Sequence, residues 1–206
     1  MYISSLENQP QLLKEHYNFN PFAGVLDHEV NHTIVPRFSV AEILSQIENN
    51  SSIAIEFLGK QGRGKTTHLI WLQQQLQNYP IFHLEKGAKL SEIVQHNSNI
   101  VFVDSIHHLS FKERIQLFKS KKAVIYTTHY TRKVSCLLAQ KPMKTIRFKG
   151  IDTKTLGKII QNRLLLAQNE TSMQQTTFSE SELKKIIQKY GDNYRGIINK
   201  LYENYQ

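Results

Sequence analysis

The sequence has few of the residues that build disulfide-linked or metal-caged proteins. Cys136 is the only cysteine among 206 residues, so an internal disulfide and a cysteine-based metal cage are both excluded. We expect Cys136 to be a packed thiol. The chain has 5 prolines and 9 glycines against 40% hydrophobic residues, which excludes a disordered chain and indicates an ordinary folded core.

Long apolar runs are also missing. No stretch approaches the length that spans a bilayer, and residues 1–10 have neither the basic nor the apolar region of a secretory signal. We therefore expect no membrane partner and a cytoplasmic location.

Acidic residues are scarce in one part of the chain. Residues 111–163 contain 14 Lys or Arg and only two acids, a net charge of +12, whereas residues 1–50 have a net charge of −4. This asymmetry predicts a basic surface that binds a polyanion, with an acidic patch elsewhere. The alternative is a solvated basic surface that only keeps the chain soluble.

One segment fits the phosphate-binding pattern G-x-x-x-x-G-K-[ST] at every fixed position: Gly59-Lys60-Gln61-Gly62-Arg63-Gly64-Lys65-Thr66. An apolar run over 53–58 precedes it, and apolar residues at helical spacing follow it over 67–76. The order strand, loop, helix is the context that this pattern requires. The alternative, a glycine-rich turn with a chance lysine, does not explain that context.

Successive backbone N–H groups in such a loop must point into one concavity around the phosphates, and glycines allow the tight turn. The following helix adds the positive end of its dipole. Lys65 is expected to reach the β- and γ-phosphates and Thr66 to hold Mg²⁺. The predicted nucleotide-binding residues of this segment are Gly59, Gln61, Gly62, Arg63, Gly64, Lys65, Thr66 and Thr67.

Strand-like and helix-like segments alternate through the middle of the chain. Strands are expected at 53–58, 81–85, 99–104, 123–129 and 145–148, with helices between most of them and a helix after Ser39. This order predicts an α/β fold, with a P-loop parallel sheet sandwiched by helices and a small C-terminal helical lid. We divide the chain into an N-terminal arm (1–33), a nucleotide-binding core (34–149) and the lid (150–206).

Asp104 closes the continuous apolar run Ile100–Val103. Continuous apolarity over so short a length is typical of a strand buried on both faces. An acid at its end is placed to share the Mg²⁺ ion held at Thr66. The alternative is an aspartate that only caps the next helix.

The order of these parts over residues 33–206 resembles the AAA+ ATPases, in particular the branch of origin-binding and clamp-loader-like proteins, with a general likeness to transposon-regulator ATPases. The resemblance rests on the phosphate loop, the strand ending Val103-Asp104-Ser105, and Thr127-Thr128-His129 at the tip of the next strand. It also rests on the lid opening at 148–156 and on Gly191-Asp192-Asn193-Tyr194-Arg195 before an apolar helix.

The resemblance implies roles for several residues and implies ATP as the nucleotide. Thr128 falls at the family's sensor 1 position and Arg195 at its sensor 2 position, from which an arginine in the lid pairs with the γ-phosphate. Val35 and Pro36 stand where relatives supply an apolar wall for the adenine ring. The guanine-specific N-K-x-D segment is absent.

Ser105 departs from the family pattern, because members that hydrolyse ATP well have a glutamate directly after the aspartate. Serine cannot act as a carboxylate base at neutral pH. Glu85 is the best substitute, since some related folds carry the glutamate on a neighbouring strand; the alternative is a solvent-facing residue. His107 and His108 are weaker candidates for the base, and Arg132 is a candidate for a finger that reaches a neighbouring subunit's site.

These features predict an ATP-binding, AAA+-like switch or assembly factor on DNA, contacting phosphates and hydrolysing ATP slowly, with Lys65, Asp104, Glu85, Thr128 and Arg195 as its catalytic set. A protein partner or a homo-oligomer is compatible with this prediction. One alternative is a hydrolysis-poor ATP-binding adaptor that binds an acidic protein. Another alternative is a small-molecule kinase. Such an enzyme should have substrate-binding arginines in a lid between core strands, and this sequence shows none there.

Overall fold

The computed structural model describes residues 17–76, 79–169, 177–191 and 193–204. Its residues form two compact units, one comprising Pro36–Lys149 and the other the described residues before Pro36 and after Lys149. In chain order the main elements are α1 (Val30–Thr33), α2 (Val40–Glu48), β1 (Ile53–Leu58), α3 (Lys65–Gln75), β2 (Ile81–His83), α4 (Leu90–Gln95), β3 (Ile100–Asp104), α5 (Phe111–Ser120), β4 (Ala123–Thr128), α6 (Lys133–Leu138), β5 (Met143–Arg147), α7 (Thr153–Ala167), α8 (Glu180–Tyr190) and α9 (Tyr194–Asn204).

The unit Pro36–Lys149 is built on a five-stranded sheet in the order β2-β3-β4-β1-β5. Every neighbouring pair is parallel. All six β4 residues and five of the six β1 residues are buried, as expected for central strands covered on both faces. The predicted parallel α/β sheet with flanking helices is confirmed.

The strand register brings the carboxyl ends of β1, β3 and β4 to one edge of the sheet. Leu58, the last residue of β1, pairs with Thr128, and Val103 pairs with Tyr126, which sets Asp104 beside Thr127. On the other side of β3, His83 pairs with Asp104. The loop after β1 and the acid that ends β3 therefore meet at the edge formed by the carboxyl ends of the strands, where ligands of open parallel sheets bind.

Helix starts follow the capping signals in the sequence. The Ser39 hydroxyl accepts a hydrogen bond from the Glu42 N–H at the start of α2, as predicted. Ser179 and Glu182 form the predicted capping box of α8. Helix α6 has no counterpart among the predicted elements, because six residues carry too little periodicity to be recognised.

The second unit is helical and has its own core. Leu156, Ile160, Leu183, Ile197 and Leu201 from α7, α8 and α9 are buried together. Tyr17 and Phe22, from the segment predicted to be an arm, are buried in the same cluster, whereas Phe19 is exposed.

A buried arginine holds the segment before α1 in this helical unit. The Arg163 guanidinium donates hydrogen bonds to the carbonyl oxygens of Pro21 and Ala23 and to the Tyr194 hydroxyl. Most of the predicted polar connection 168–177, and also Asp192 and Tyr205, lie outside the described residues. In the part of the chain that the structure describes, no helix is long and apolar enough to cross a membrane.

Two lysines of the basic segment 111–163 are internal to the sheet unit. The Lys121 ammonium donates to the carbonyl oxygens of Val94 and His96, and burial lowers its pKa. Lys141 donates to the Ser52 hydroxyl and to two backbone carbonyls, and burial lowers its pKa to about 8. Arg163 is buried as well, so these three side chains are not available to a polyanion.

Candidate phosphate-binding site

The loop between β1 and α3 has the backbone conformation that its glycines predict. Gly62 and Gly64 have φ angles of 75° and 81°, in the left-handed region that other residues rarely adopt. Gly64 is also the residue that precedes the first turn of α3, and no side chain caps that turn. The first N–H groups of α3 can therefore point at an anion.

Gly59 is required for a different reason, which is close packing. A Cβ atom at this position would lie 2.4 Å from the carbonyl oxygen of Phe148. The Gly59 N–H also donates to the Thr128 carbonyl oxygen at 3.3 Å. The loop thus begins between two other chain segments, both in the same compact unit.

Lys65 begins α3 and is buried despite its charge. Its Nζ donates to the carbonyl oxygen of Lys60 at 2.9 Å, across the loop. The ammonium group is therefore held at the loop, where the phosphate-binding pattern requires it. Lys60 itself is exposed, so of the two lysines in this loop one is buried and the other faces solvent.

Asp104 lies at the centre of a hydrogen-bonded cluster. Its Oδ1 accepts from the Thr66 hydroxyl at 2.9 Å and from the Thr127 hydroxyl at 2.6 Å. The Ser105 N–H donates to the same Thr127 oxygen at 2.8 Å. On the other side of the carboxylate, the His83 ring nitrogen lies 3.8 Å from Oδ2.

The Thr66 hydroxyl and the Asp104 carboxylate are the two oxygen ligands that the sequence assigned to Mg²⁺, and the structure brings them together. Mg²⁺ typically uses one or two carboxylates with substrate phosphates and waters instead of a full protein cage. The described residues contain no group of three or more His, Cys, Asp or Glu that could hold a metal alone. The donor set therefore fits a magnesium–nucleotide complex.

Thr127 and Thr128 have different partners. Thr127 contacts Asp104, a contact that sequence reasoning missed because it depends on the pairing of β3 with β4. The Thr128 hydroxyl, assigned to sensor 1, donates to the Tyr130 carbonyl oxygen and accepts from Arg132 Nε. Arg132 is thereby held against the end of β4.

Glu56 is a second buried polar residue near the site whose contacts the sequence did not reveal. It lies within β1 and is fully buried. Its Oε1 accepts from the Tyr126 hydroxyl at 3.1 Å and from the Arg132 N–H at 2.6 Å, and its Oε2 accepts from the Thr145 hydroxyl at 3.1 Å. One carboxylate thus joins β1, β4, β5 and the segment that enters α6.

The candidates for a catalytic base occupy different environments. Glu85 is exposed, two residues beyond the end of β2. Burial, together with nearby His108 and His129, lowers the pKa of His107 below its ordinary value. Ser105 has φ 61° and ψ 44°, a left-handed conformation that is uncommon outside glycine.

The remaining predicted site residues fall in both units. In the loop, Gln61 is exposed, Arg63 is half-buried, and Thr67 is half-buried in the first turn of α3. Pro36 begins the sheet unit, whereas Val35 and Arg195 belong to the helical unit, with Arg195 exposed on α9. The roles of Val35, Pro36 and Arg195 in nucleotide binding stay predictions.

No protein-family model matches the sequence, and no curated protein matches it. Solved structures do match. AMPPCP-bound DnaA from Aquifex aeolicus is 16% identical with a TM-score of 0.54, and the match covers 85% of this chain and 66% of that one. The Thermotoga maritima RuvB Holliday junction branch migration motor is 15% identical with a TM-score of 0.53, and the match covers 81% and 61%.

This chain thus matches less than two thirds of the length of either protein. At such identities the similarity shows the fold and not the activity. Together with the parallel sheet and the loop geometry, it shows that this chain has the fold of the AAA+ P-loop ATPases.

Proposed function

We propose that this chain binds ATP with Mg²⁺ at the loop Gly59–Thr66 and acts as a nucleotide-dependent switch or assembly factor on DNA. The main observation behind this proposal is that three features lie together at one edge of the sheet. These are the glycine loop, the buried Lys65 ammonium, and the Thr66–Asp104 oxygen pair. The match to a DnaA structure that holds AMPPCP, an ATP analogue, supports a triphosphate as the ligand.

Each part has a distinct role in this proposal. Lys65 and the N–H groups at the start of α3 bind the phosphates, and Thr66 with Asp104 holds the metal ion. The chemistry that bound Mg²⁺ supplies is neutralisation of charge between the phosphates. Val35 and Pro36 are proposed to face the base, and Arg195 is proposed to bind the γ-phosphate from a helical lid.

Hydrolysis is proposed to be slow, because Asp104 is followed by Ser105 and not by an acid. We expect low steady-state ATP turnover and a rise in turnover in Ser105→Glu, measured by phosphate release. Ser105 already has the left-handed backbone conformation with its own Cβ atom, so glutamate at this position should add little backbone strain, and turnover is compared at a temperature at which both proteins are folded. Fast turnover in the parent chain that survives Glu85→Gln would contradict this assignment.

DNA is proposed as the partner on the basis of charge. The exposed basic side chains of the segment 111–163 are Lys112, Lys119, Lys122, Lys133, Lys144, Arg147, Lys149, Lys154 and Lys158. One of the structural matches, RuvB, is named as a Holliday junction motor. Phosphate contacts from such side chains bind nucleic acid without reading its sequence.

Binding of duplex DNA in the presence of ATP is expected to weaken steeply with salt. Each phosphate neutralised contributes a slope of about −0.9 to log K against log salt. Lys119→Ala/Lys122→Ala removes two exposed charges and should make the slope shallower by about one to two units, measured by fluorescence anisotropy. Lys121 is unsuitable for this test because its ammonium is buried on backbone carbonyls.

The matched control is Lys185→Ala/Lys189→Ala, which removes two exposed lysines of α8 outside the basic segment. An equal effect of both pairs would indicate a general charge effect and not a binding surface. If no DNA or RNA binds at low salt with ATP present, the second candidate function replaces the first. That candidate is a hydrolysis-poor ATP-binding adaptor for a protein partner, and the serine at position 105 favours it.

A further inference from the structure

Helix α6 presents apolar side chains to solvent. Ser135 and Cys136 are buried, whereas Val134, Leu137 and Leu138 are 62%, 71% and 52% exposed. Positions 134, 137 and 138 have the i, i+3, i+4 spacing of one helix face. The helix therefore packs on the sheet unit with one side and exposes a continuous aliphatic face on the other.

Two more exposed aromatic residues lie close to α6, one in the chain and one through a side-chain contact. Tyr130, just before α6, is 77% exposed, and Phe111, the first residue of α5, is exposed as well. The Arg114 guanidinium lies 5.9 Å from the centre of the Phe111 ring, and its Nε donates to the Ser135 hydroxyl. Phe111 is thus linked to α6 through one side chain. We name the set Phe111, Tyr130, Val134, Leu137 and Leu138 the α6 surface.

The charges around the α6 surface have one sign. Lys112 and Lys133 are exposed beside Phe111 and Val134 in the chain, and Arg132 precedes Lys133 at the entry to α6. Between residues 105 and 149 the only acid is Glu113, and its carboxylate accepts from the Ser110 N–H at the start of α5. A complementary partner must therefore offer apolar side chains flanked by carboxylates.

We propose that the α6 surface binds an acidic amphipathic segment of a partner protein. Exposed apolar patches with a polar rim typically mark protein interaction sites. The aliphatic side chains of Val134, Leu137 and Leu138 favour a protein over nucleic acid, because a phosphate backbone offers them no apolar surface to cover. This binding requires neither nucleotide nor DNA and adds a protein contact to the function proposed above.

The test uses the full chain and a fluorescein-labelled synthetic peptide that has leucines at i, i+3, i+4 and i+7 and glutamate or alanine elsewhere. We expect saturable binding by fluorescence anisotropy, and binding at least about tenfold weaker to Val134→Ser/Leu137→Ser, because two apolar contacts are lost. The control Leu165→Ser changes another exposed leucine, 50% exposed on α7, and should leave the affinity unchanged.

A scrambled peptide of the same composition separates recognition of an amphipathic helix from recognition of charge. Its binding is measured on the unmodified chain, so this control does not depend on the folding of a variant. Equal binding of the scrambled peptide, or no saturable binding of the designed one, overturns the proposal. So does weaker binding of duplex DNA to Val134→Ser/Leu137→Ser than to the unmodified chain, which would make this a nucleic-acid site. A dimer that is seen by sedimentation velocity and is absent in Val134→Ser/Leu137→Ser would assign the surface to a second copy of the chain. That result would also overturn the proposal.

Discussion

ATP with Mg²⁺ is expected to stabilise the parent chain by about 2.7 kcal/mol at about a hundred times its dissociation constant, and Lys65→Ala is expected to remove most of this gain. The reason is that the Lys65 ammonium is already held at the loop, on the carbonyl oxygen of Lys60. For a chain of this size the gain corresponds to a rise in Tm of roughly 5–10 °C, measured by differential scanning fluorimetry.

Lys60→Ala is the matched control, because it removes the same charge from the same loop at an exposed position. The stabilisation by ATP should persist in this variant. If the two substitutions reduce it equally, the loop attracts phosphate only through its overall charge. An unchanged melting curve of the parent chain at millimolar ATP with Mg²⁺ would contradict nucleotide binding itself.

Glu56→Ala is expected to destabilise the fold by about 3 kcal/mol or more. The substitution removes the acceptor of the Tyr126 hydroxyl in a buried position, and of the Thr145 hydroxyl and the Arg132 N–H in half-buried positions. Each buried group that loses its hydrogen bond costs about 1–3 kcal/mol. Urea unfolding followed by circular dichroism measures the loss as a lower midpoint at an unchanged slope.

Glu56→Gln separates hydrogen bonding from shape. Glutamine has nearly the same volume, its amide oxygen can accept from Tyr126 and Arg132, and its NH₂ group can donate to the Thr145 hydroxyl. We therefore expect this variant to lose about 1 kcal/mol. Equal losses in the two variants would show that the carboxylate is not the organising acceptor of this cluster.

The sheet and the phosphate loop were predictable because their signals are local. The apolar run Ile100–Val103 identified a buried strand, and the glycine spacing identified the loop conformation. The capping serines Ser39 and Ser179 marked helix starts for the same reason, since each bonds to a residue three positions away. Strand ends shifted by only one or two residues.

The polar contacts of the interior were not predictable from local signals. Glu56 looks like one acid in an apolar run, and its burial depends on Tyr126 and Thr145 from two other strands. Lys121 counts toward a basic surface in the sequence, yet its ammonium is internal because two carbonyl oxygens meet it there. Such contacts depend on strand order, which the sequence pattern does not state.

The cluster around Asp104 has a consequence for how tightly a ligand can bind. Since Thr66 and Thr127 both donate to Asp104, the chain's own hydrogen bonds already tie the start of α3 to the ends of β3 and β4. A ligand that arrives therefore finds side chains whose rotamer freedom was lost when the protein folded, so little of its binding energy is used to order them. In the Mg²⁺ role proposed for it, Thr66 would exchange one hydrogen-bond partner for the metal ion, so the proposed site is preorganised before any nucleotide is present.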